Sequence, residues 1–134
     1  MKCFPLLLVC SFLIACQSKL QKQLNQADAL TIHFYRDARA DSVIKIVRTT
    51  SKDAIENLTT FIENKESPVP ATCGHDGDII FYRGEQVLQV IDFNILQLNC
   101  RHFEMQINGK PVRTPMNNEA ADFLLALWAG KKTF

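Results

Sequence analysis

The chain has 134 residues, of which 47% are hydrophobic and 22% are charged, a composition typical of an ordinary globular protein. This length is too short for two full-sized domains, so a single hydrophobic core is expected. Lys and Arg number 15 against 14 Asp and Glu, and a net charge of +1 gives no general attraction to nucleic acid.

The first fifteen residues combine a positive start with an apolar segment. Lys2 precedes residues 4–15, which are apolar apart from Ser11. A helix of twelve residues, the length of this segment, would span about 18 Å, well short of the roughly 30 Å hydrocarbon core of a bilayer. Residues 1–15 are therefore predicted to be a signal peptide and not a transmembrane helix.

The segment ends in Leu13-Ile14-Ala15-Cys16, which resembles the lipobox of bacterial lipoproteins. In that family the thiol of the obligatory Cys takes a diacylglyceryl thioether, and cleavage before the Cys frees its amine for a further acyl chain. The resemblance implies that Cys16 is lipidated. The alternative is an ordinary secretory leader cleaved elsewhere, but Leu13 occupies the position where such a site needs a small residue.

A lipid on Cys16 would attach the mature chain to a membrane, and the neighbouring residues indicate which membrane. Two or three acyl chains give a stable anchor, whereas a single chain binds only marginally. In the lipoprotein family, Asp directly after the lipidated Cys often retains the protein in the inner membrane, but here the residue is Gln17. The resemblance therefore implies the outer membrane, on its periplasmic face, because no acidic cluster that would mark surface export follows Cys16.

Residues 16–27 are predicted to be a polar tether. The segment is rich in Gln, and Leu20 and Leu24 are its only sizeable apolar residues. Their spacing allows a short helix, although the apolar surface is too small to hold it firmly. The globular domain is then expected over residues 28–134.

The first half of the domain is predicted to form two strands and a helix. Apolar and polar residues alternate over 30–35, and a run rich in β-branched residues over 42–49 predicts the hairpin partner. A helix is expected from a cap at position 50 or 51 to about Asn64. The prolines in 67–70 cannot continue it, because proline lacks the backbone N–H.

The second half is predicted to contain more strands and a final helix. Strands are expected over 79–82, 86–93, 101–107 and 110–113. Asn108-Gly109 suits a type I′ turn, and Pro111 places the last strand at a sheet edge. Asn117 is predicted to cap the last helix and Gly130 to end it.

The element order ββαβββ(β)α predicts an α+β fold, an antiparallel sheet with two amphipathic helices packed on one face. The opposite face would carry polar side chains from several strands: Thr31, His33, Tyr35, Lys45, His102, Glu104 and Gln106. This face is expected either to be simply solvated or to bind a partner. His33, Tyr35, His102 and Glu104 are its candidate binding residues, and the loop over 67–78 is the alternative binding surface.

Two cysteines remain after the leader is removed and Cys16 is lipidated, namely Cys73 and Cys100. In an oxidising compartment such a pair is expected to form a disulfide, which would stabilise the domain by about 3 kcal/mol. Each Cys lies two residues before a histidine, His75 or His102, so tetrahedral zinc is an alternative. A redox-active pair is another, although the chain has no C-x-x-C motif.

The sequence carries none of the common catalytic motifs. The chain has no G-x-S-x-G, H-E-x-x-H, P-loop or Rossmann fingerprint. His75, Asp76 and Asp78 cluster near Cys73, where general acid–base chemistry or a calcium loop would be possible, but Asp and Gly also simply satisfy turn geometry. We therefore expect no catalytic residue, no metal and no cofactor.

A second resemblance covers about sixty residues of the domain. Cys73-x-x-Asp76-Gly77-x-Ile79-x-Phe81, Cys100, Ile107-Asn108-Gly109-Lys110 and the closing helix resemble small, functionally uncharacterised lipoproteins of Gram-negative envelopes. The resemblance implies a location and a disulfide-linked domain, but no activity. The leading hypothesis is a lipid-anchored, non-enzymatic interaction module that binds an envelope protein. An inhibitor of a hydrolase (a lysozyme or a protease) is the second hypothesis, and a small hydrolase or metal-binding protein is the third.

Overall fold

The computed structural model describes residues 18–37, 42–63, 65–70 and 72–134. The predicted signal peptide, residues 1–15, and the predicted lipidation site Cys16 lie outside these ranges and stay predictions. Within the described ranges, no helix is long and apolar enough to cross a membrane.

In the described part of the chain, six strands form one antiparallel sheet, which confirms the predicted α+β fold class. The order across the sheet is β2-β1-β3-β4-β5-β6, so β2 and β6 are its edges. The strands are β1 Ala29–Tyr35, β2 Val43–Thr49, β3 Gly77–Arg83, β4 Gln86–Asn94, β5 His102–Ile107 and β6 Lys110–Pro115. Asn108 and Gly109 have φ angles of 53° and 75°, as the predicted type I′ turn between β5 and β6 requires.

Two helices begin at the predicted caps. In α2, Lys52–Thr60, the side chain of Ser51 accepts a hydrogen bond from the N–H of Ala54. In α3, Asn118–Trp128, the side chain of Asn117 accepts one from the N–H of Ala120 at 2.8 Å. These bonds satisfy N–H groups that have no partner within the helix.

Helix α2 ends four residues before the predicted Asn64, at Thr60. The hydroxyl of Thr59 donates to the carbonyl of Ile55 at 2.7 Å, and the hydroxyl of Thr60 donates to that of Asn57 at 2.6 Å. Such bonds compete with the backbone for helix carbonyls. Two consecutive threonines thus favour an earlier end than the apolar spacing predicted.

The prediction of a polar tether is wrong from Ser18 onward. Residues Lys19–Leu24 form helix α1, with Ser18 as its cap, and both Leu20 and Leu24 are buried in the core. The side-chain amide of Gln23 also donates to the carbonyl of Leu88 on β4 at 2.8 Å. An isolated helix this short would be unstable, but packing against the existing core supplies what the local sequence lacks.

The hydrophobic core lies between the helices and one face of the sheet. Helices α1, α2 and α3 each contribute a fully buried leucine to it, namely Leu24, Leu58 and Leu124. The facing strands contribute alternate residues, and four phenylalanines among these are at most 1% exposed: Phe34, Phe81, Phe93 and Phe103. We call the other side of the sheet the open face.

The prediction that Lys45 lies on the open face is wrong. In the β1–β2 pairing Lys45 stands opposite Phe34, so its side chain is on the helix side. Its ammonium donates to the carbonyls of Leu127 and Trp128, at 2.6 and 3.0 Å. The ammonium of Lys45 thus lies at the C-terminal end of α3, where a positive charge interacts favourably with the last carbonyls and with the negative end of the helix dipole.

Candidate functional site

Five polar side chains form a continuous row across the open face. His33, Asp78, Asp92, Glu104 and Arg113 stand directly opposite one another on β1, β3, β4, β5 and β6. We call them the polar row. Side chains at opposite positions of paired strands lie about 5 Å apart at Cβ, close enough to interact. The row holds three carboxylates and one arginine, so its centre is negatively charged.

One end of the polar row is held by a hydrogen-bonded group. His33 Nδ1 lies 2.8 Å from Oδ1 of Asp78, and the Tyr35 hydroxyl donates to Oδ2 of the same carboxylate. Burial raises the pKa of Tyr35 above its usual value, and the hydrogen bond to Asp78 and the charges of Asp78 and Asp92 add to the effect. The predicted binding residues His33 and Tyr35 therefore come together on a carboxylate that was assigned to a turn.

Asp92, in the middle of the row, is a half-buried carboxylate that makes no hydrogen bond or ion pair with the described residues. Burial raises its pKa; the neighbouring carboxylates Asp78 and Glu104 act in the same direction, and the imidazoles of His75 and His102 act against it. Like charges at opposite positions of a sheet destabilise it. The row is thus suited to accept a cation.

At the other end, Arg113 Nε donates to Oε2 of Glu104 at 2.6 Å, and Arg113 Nη1 donates to the carbonyl of Val69 at 3.2 Å. Burial acts to raise the pKa of Glu104. The hydrogen bond and the charge of Arg113, together with the two nearby imidazoles, outweigh that effect and hold the pKa below its usual range. Glu104 is accordingly a carboxylate at neutral pH.

Two imidazoles converge on this carboxylate. Nε2 of His75 lies 3.5 Å from Oε2 of Glu104, and Nε2 of His102 lies 3.8 Å from the same oxygen. The two rings are 5.6 Å apart between centroids and tilted by 49°. The three ligand-type atoms all lie within 4.8 Å of one another.

The hydrogen bond at the other nitrogen of His102 decides what its Nε2 can do. Nδ1 lies 2.5 Å from the carbonyl oxygen of Cys100. Because a carbonyl only accepts, we assign the hydrogen to Nδ1, which leaves a lone pair on Nε2 in the neutral ring. Burial lowers the pKa of His102 and outweighs the opposing influence of the Cys100 carbonyl, so the neutral form is favoured.

The prediction of a solvated or partner-binding position for His102 is wrong, because its side chain is 0% exposed. His75 is half-buried, yet its Nε2 atom is inaccessible to solvent. Among the described residues, neither Nε2 atom has a hydrogen-bond partner. Two buried nitrogens without a partner, beside a carboxylate, are unusual, because native structures pair most buried polar atoms.

A disulfide holds the two histidine segments together. Cys73 and Cys100 are bonded, with Cα atoms 5.5 Å apart, as the sequence predicted. Since each Cys lies two residues before a histidine, the bond brings His75 next to His102. It also occupies both thiols, which removes the zinc site of two thiolates and two imidazoles that was weighed as an alternative.

Hydrogen bonds fix the His75 segment further. The amide of Asn94 donates to the carbonyl of Gly74 at 3.0 Å. Oδ2 of the buried Asp76 accepts from the N–H groups of Ile95 and Leu96, at 2.8 and 2.9 Å. The expected group of His75, Asp76 and Asp78 is thereby separated: Asp76 anchors backbone, Asp78 binds His33 and Tyr35, and His75 faces Glu104.

Sequence reasoning missed Asp92 and Arg113. Asp92 does follow Val90 at the open-face period of β4, but strand alternation does not say which strands are neighbours. A groove of about 360 Å³ opens beside Glu104 and Arg113; it is completed by Pro111 and by Glu66, Ser67, Pro68 and Val69.

Comparisons with protein families, with characterised proteins and with solved structures found no match.

Proposed function

We propose that this chain is a lipoprotein of the bacterial cell envelope, anchored through Cys16, whose domain works without catalysis by binding a protein partner on the open face. The anchor rests on the lipobox-like sequence Leu13-Ile14-Ala15-Cys16. The outer membrane, on the periplasmic side, is the proposed location, and a lipid anchor there raises the local concentration of the domain near a membrane partner.

The observation that carries the binding proposal is the composition of the open face. The polar row continues at its β2 end into Ile46, which stands opposite His33. Ile46 is 50% exposed, Ile44 44% and Val90 41%. Exposed apolar residues around a negatively charged centre fit a partner surface that is apolar and carries a basic side chain toward Asp92.

The segment Ser67–Val69 does not support an inhibitor that inserts this segment into an active site. Such an inhibitor needs a projecting loop, and Ser67–Val69 instead follows the edge strand β6. The N–H of Ser67 donates to the carbonyl of Arg113 at 2.8 Å, and Arg113 in turn donates to the carbonyl of Val69. This segment is thus engaged with the domain.

The test is affinity recovery of the lipidated full chain from its native envelope after crosslinking. Ile46→Glu adds a charge to the exposed apolar part of the open face and should abolish recovery of the partner. Asn57→Glu adds the same charge to an exposed position of α2, in the helix layer, and should leave recovery unchanged. Equal recovery with both variants would overturn the assignment of the open face.

A further inference from the structure

We propose that His75, His102 and Glu104 form a binding site for one divalent transition-metal ion, with zinc as the ion that suits the donors best. The inference concerns these residues alone and does not rest on the lipid anchor or on a protein partner. Two imidazole nitrogens and one carboxylate oxygen are a donor set that zinc takes in proteins. Calcium and magnesium prefer oxygen ligands throughout.

The distances between the donor atoms suit such an ion. With bonds of about 2.0 to 2.2 Å in tetrahedral geometry, neighbouring ligand atoms stand about 3.3 to 3.6 Å apart. Glu104 Oε2 lies 3.5 Å from Nε2 of His75 and 3.8 Å from Nε2 of His102. Both distances to Glu104 are therefore within a few tenths of an ångström of the tetrahedral spacing, and all three donor atoms lie within 4.8 Å of one another.

The two unpartnered nitrogens point to a ligand independently of these distances. Nε2 of His102 belongs to a side chain that is 0% exposed, faces a carboxylate and makes no hydrogen bond within the described residues. A lone pair beside a negatively charged oxygen is unfavourable unless a proton or a metal cation stands between them. One metal ion would satisfy both imidazoles and the carboxylate together.

Neighbouring groups hold the three donor side chains in place, as is usual for residues that bind a metal ion. A ligating histidine commonly donates its second N–H to a carbonyl or a carboxylate, and His102 Nδ1 has the Cys100 carbonyl at 2.5 Å. Arg113 fixes Glu104 through Oε2, and that oxygen has a second lone pair for a metal. The disulfide two residues before each histidine limits how far the imidazoles can separate.

Three protein ligands leave one tetrahedral position for water or for a group from outside the chain. Glu104 also lines the groove of about 360 Å³ beside β6, which neither histidine lines. Zinc sites with an open position bind small ligands, whereas sites closed by four protein ligands serve structure. The proposed site thus belongs to the class that accepts an exogenous ligand.

The experiment uses the purified full chain, with its disulfide intact, stripped of metal by a chelator. Zinc binding is measured by competition with a chromophoric chelator, and Co²⁺ is the spectroscopic probe, because a tetrahedral cobalt site gives strong visible absorption. The expected result is one zinc ion per chain, a tetrahedral cobalt spectrum, and no competition from Ca²⁺ or Mg²⁺.

The matched variants are His75→Ala and His33→Ala. His75 is half-buried, so its loss should leave the fold intact by circular dichroism and weaken zinc binding at least about tenfold. His33 lies on the same face but faces Asp78, and its loss should leave zinc affinity unchanged. The proposal is overturned if the wild-type chain binds zinc no more tightly than His75→Ala does, which would mean that His75 and Glu104 form an ion pair only. Partner recovery unaffected by zinc removal would leave the proposed function standing.

Discussion

Gly77 on β3 stands opposite Phe93 on β4, and a methyl group at Gly77 would come within 2.4 Å of the Phe93 ring. It would also come within 2.2 Å of the carbonyl oxygen of His33, so a side chain has no room on this part of the strand. The glycine therefore allows β1 and a large aromatic ring to pack directly beside the start of β3, two residues after His75.

We expect Gly77→Ala to destabilise the domain by about 3 kcal/mol or more, because both the ring and the neighbouring strand must shift. Urea unfolding measures the change. Gly84→Ala is the control: Gly84 has a φ of 59°, but nothing lies within 4 Å of an added methyl group, so the cost should be only about 1 kcal/mol. Equal losses in both variants would contradict the steric argument.

Leu24→Ala tests whether the segment before β1 belongs to the domain. Leu24 is 0% exposed in α1, and truncating a fully buried leucine costs about 2 to 5 kcal/mol. The same truncation at Leu98, which is 75% exposed, should change the free energy of unfolding by less than about 0.5 kcal/mol. An unfolding midpoint of Leu24→Ala that matches Leu98→Ala would restore the tether interpretation.

The raised pKa of Tyr35 leads us to expect that the domain loses stability at alkaline pH. Its folded-state pKa is raised by burial first and then by Asp78, so the contribution to stability is fully present below pH about 10 and is lost as pH rises through the raised pKa. The difference between the ultraviolet titration curves of the wild type and of Tyr35→Phe reports the ionisation of Tyr35. This difference should show the phenolate forming only above the pH range in which a tyrosine usually ionises. A normal titration of this residue would contradict the contact with Asp78.

At neutral pH, Tyr35→Phe should lower the free energy of unfolding by about 1 to 3 kcal/mol, because a hydrogen bond to a charged group is lost.

Loss of the disulfide should affect both stability and metal binding. Cys73 and Cys100 are separated by 27 residues, and closing such a loop stabilises a fold by about 3 kcal/mol in the chain-entropy model. Changing both residues to alanine should lower the urea midpoint accordingly. It should also weaken zinc binding in conditions where the variant is fully folded, because the His75 and His102 segments are no longer joined. Unchanged zinc affinity would show that the remaining hydrogen bonds suffice to position the imidazoles.

The lipobox predicts that Cys16→Ser abolishes lipid attachment, because serine offers no thiol for the thioether. Metabolic labelling with a fatty-acid analogue measures this directly. Cys10→Ser, within the predicted signal peptide, is the matched control and should keep the label. Label retained on Cys16→Ser would refute the lipoprotein assignment, whatever the domain binds.

The local pattern of the sequence determined most of the secondary structure. Alternation over 30–35 and 101–107, the caps at Ser51 and Asn117, and the turn at Asn108-Gly109 depend only on neighbouring residues, and the structure has an element at each of them. The sequence also predicted the disulfide, since only two cysteines remain in the expected mature chain.

Only the tertiary structure decided which residues meet. Lys45 lies on the helix side because the register of β2 against β1 places it there, and α1 is part of the domain because the core accepts Leu20 and Leu24. The paired C-x-H motifs are visible in the sequence, but their convergence on Glu104 depends on the disulfide and on the long-range pairing of β4, β5 and β6. Side-chain alternation is a property of one strand, whereas strand order and register depend on packing energies summed over the whole sheet, and no short segment contains them.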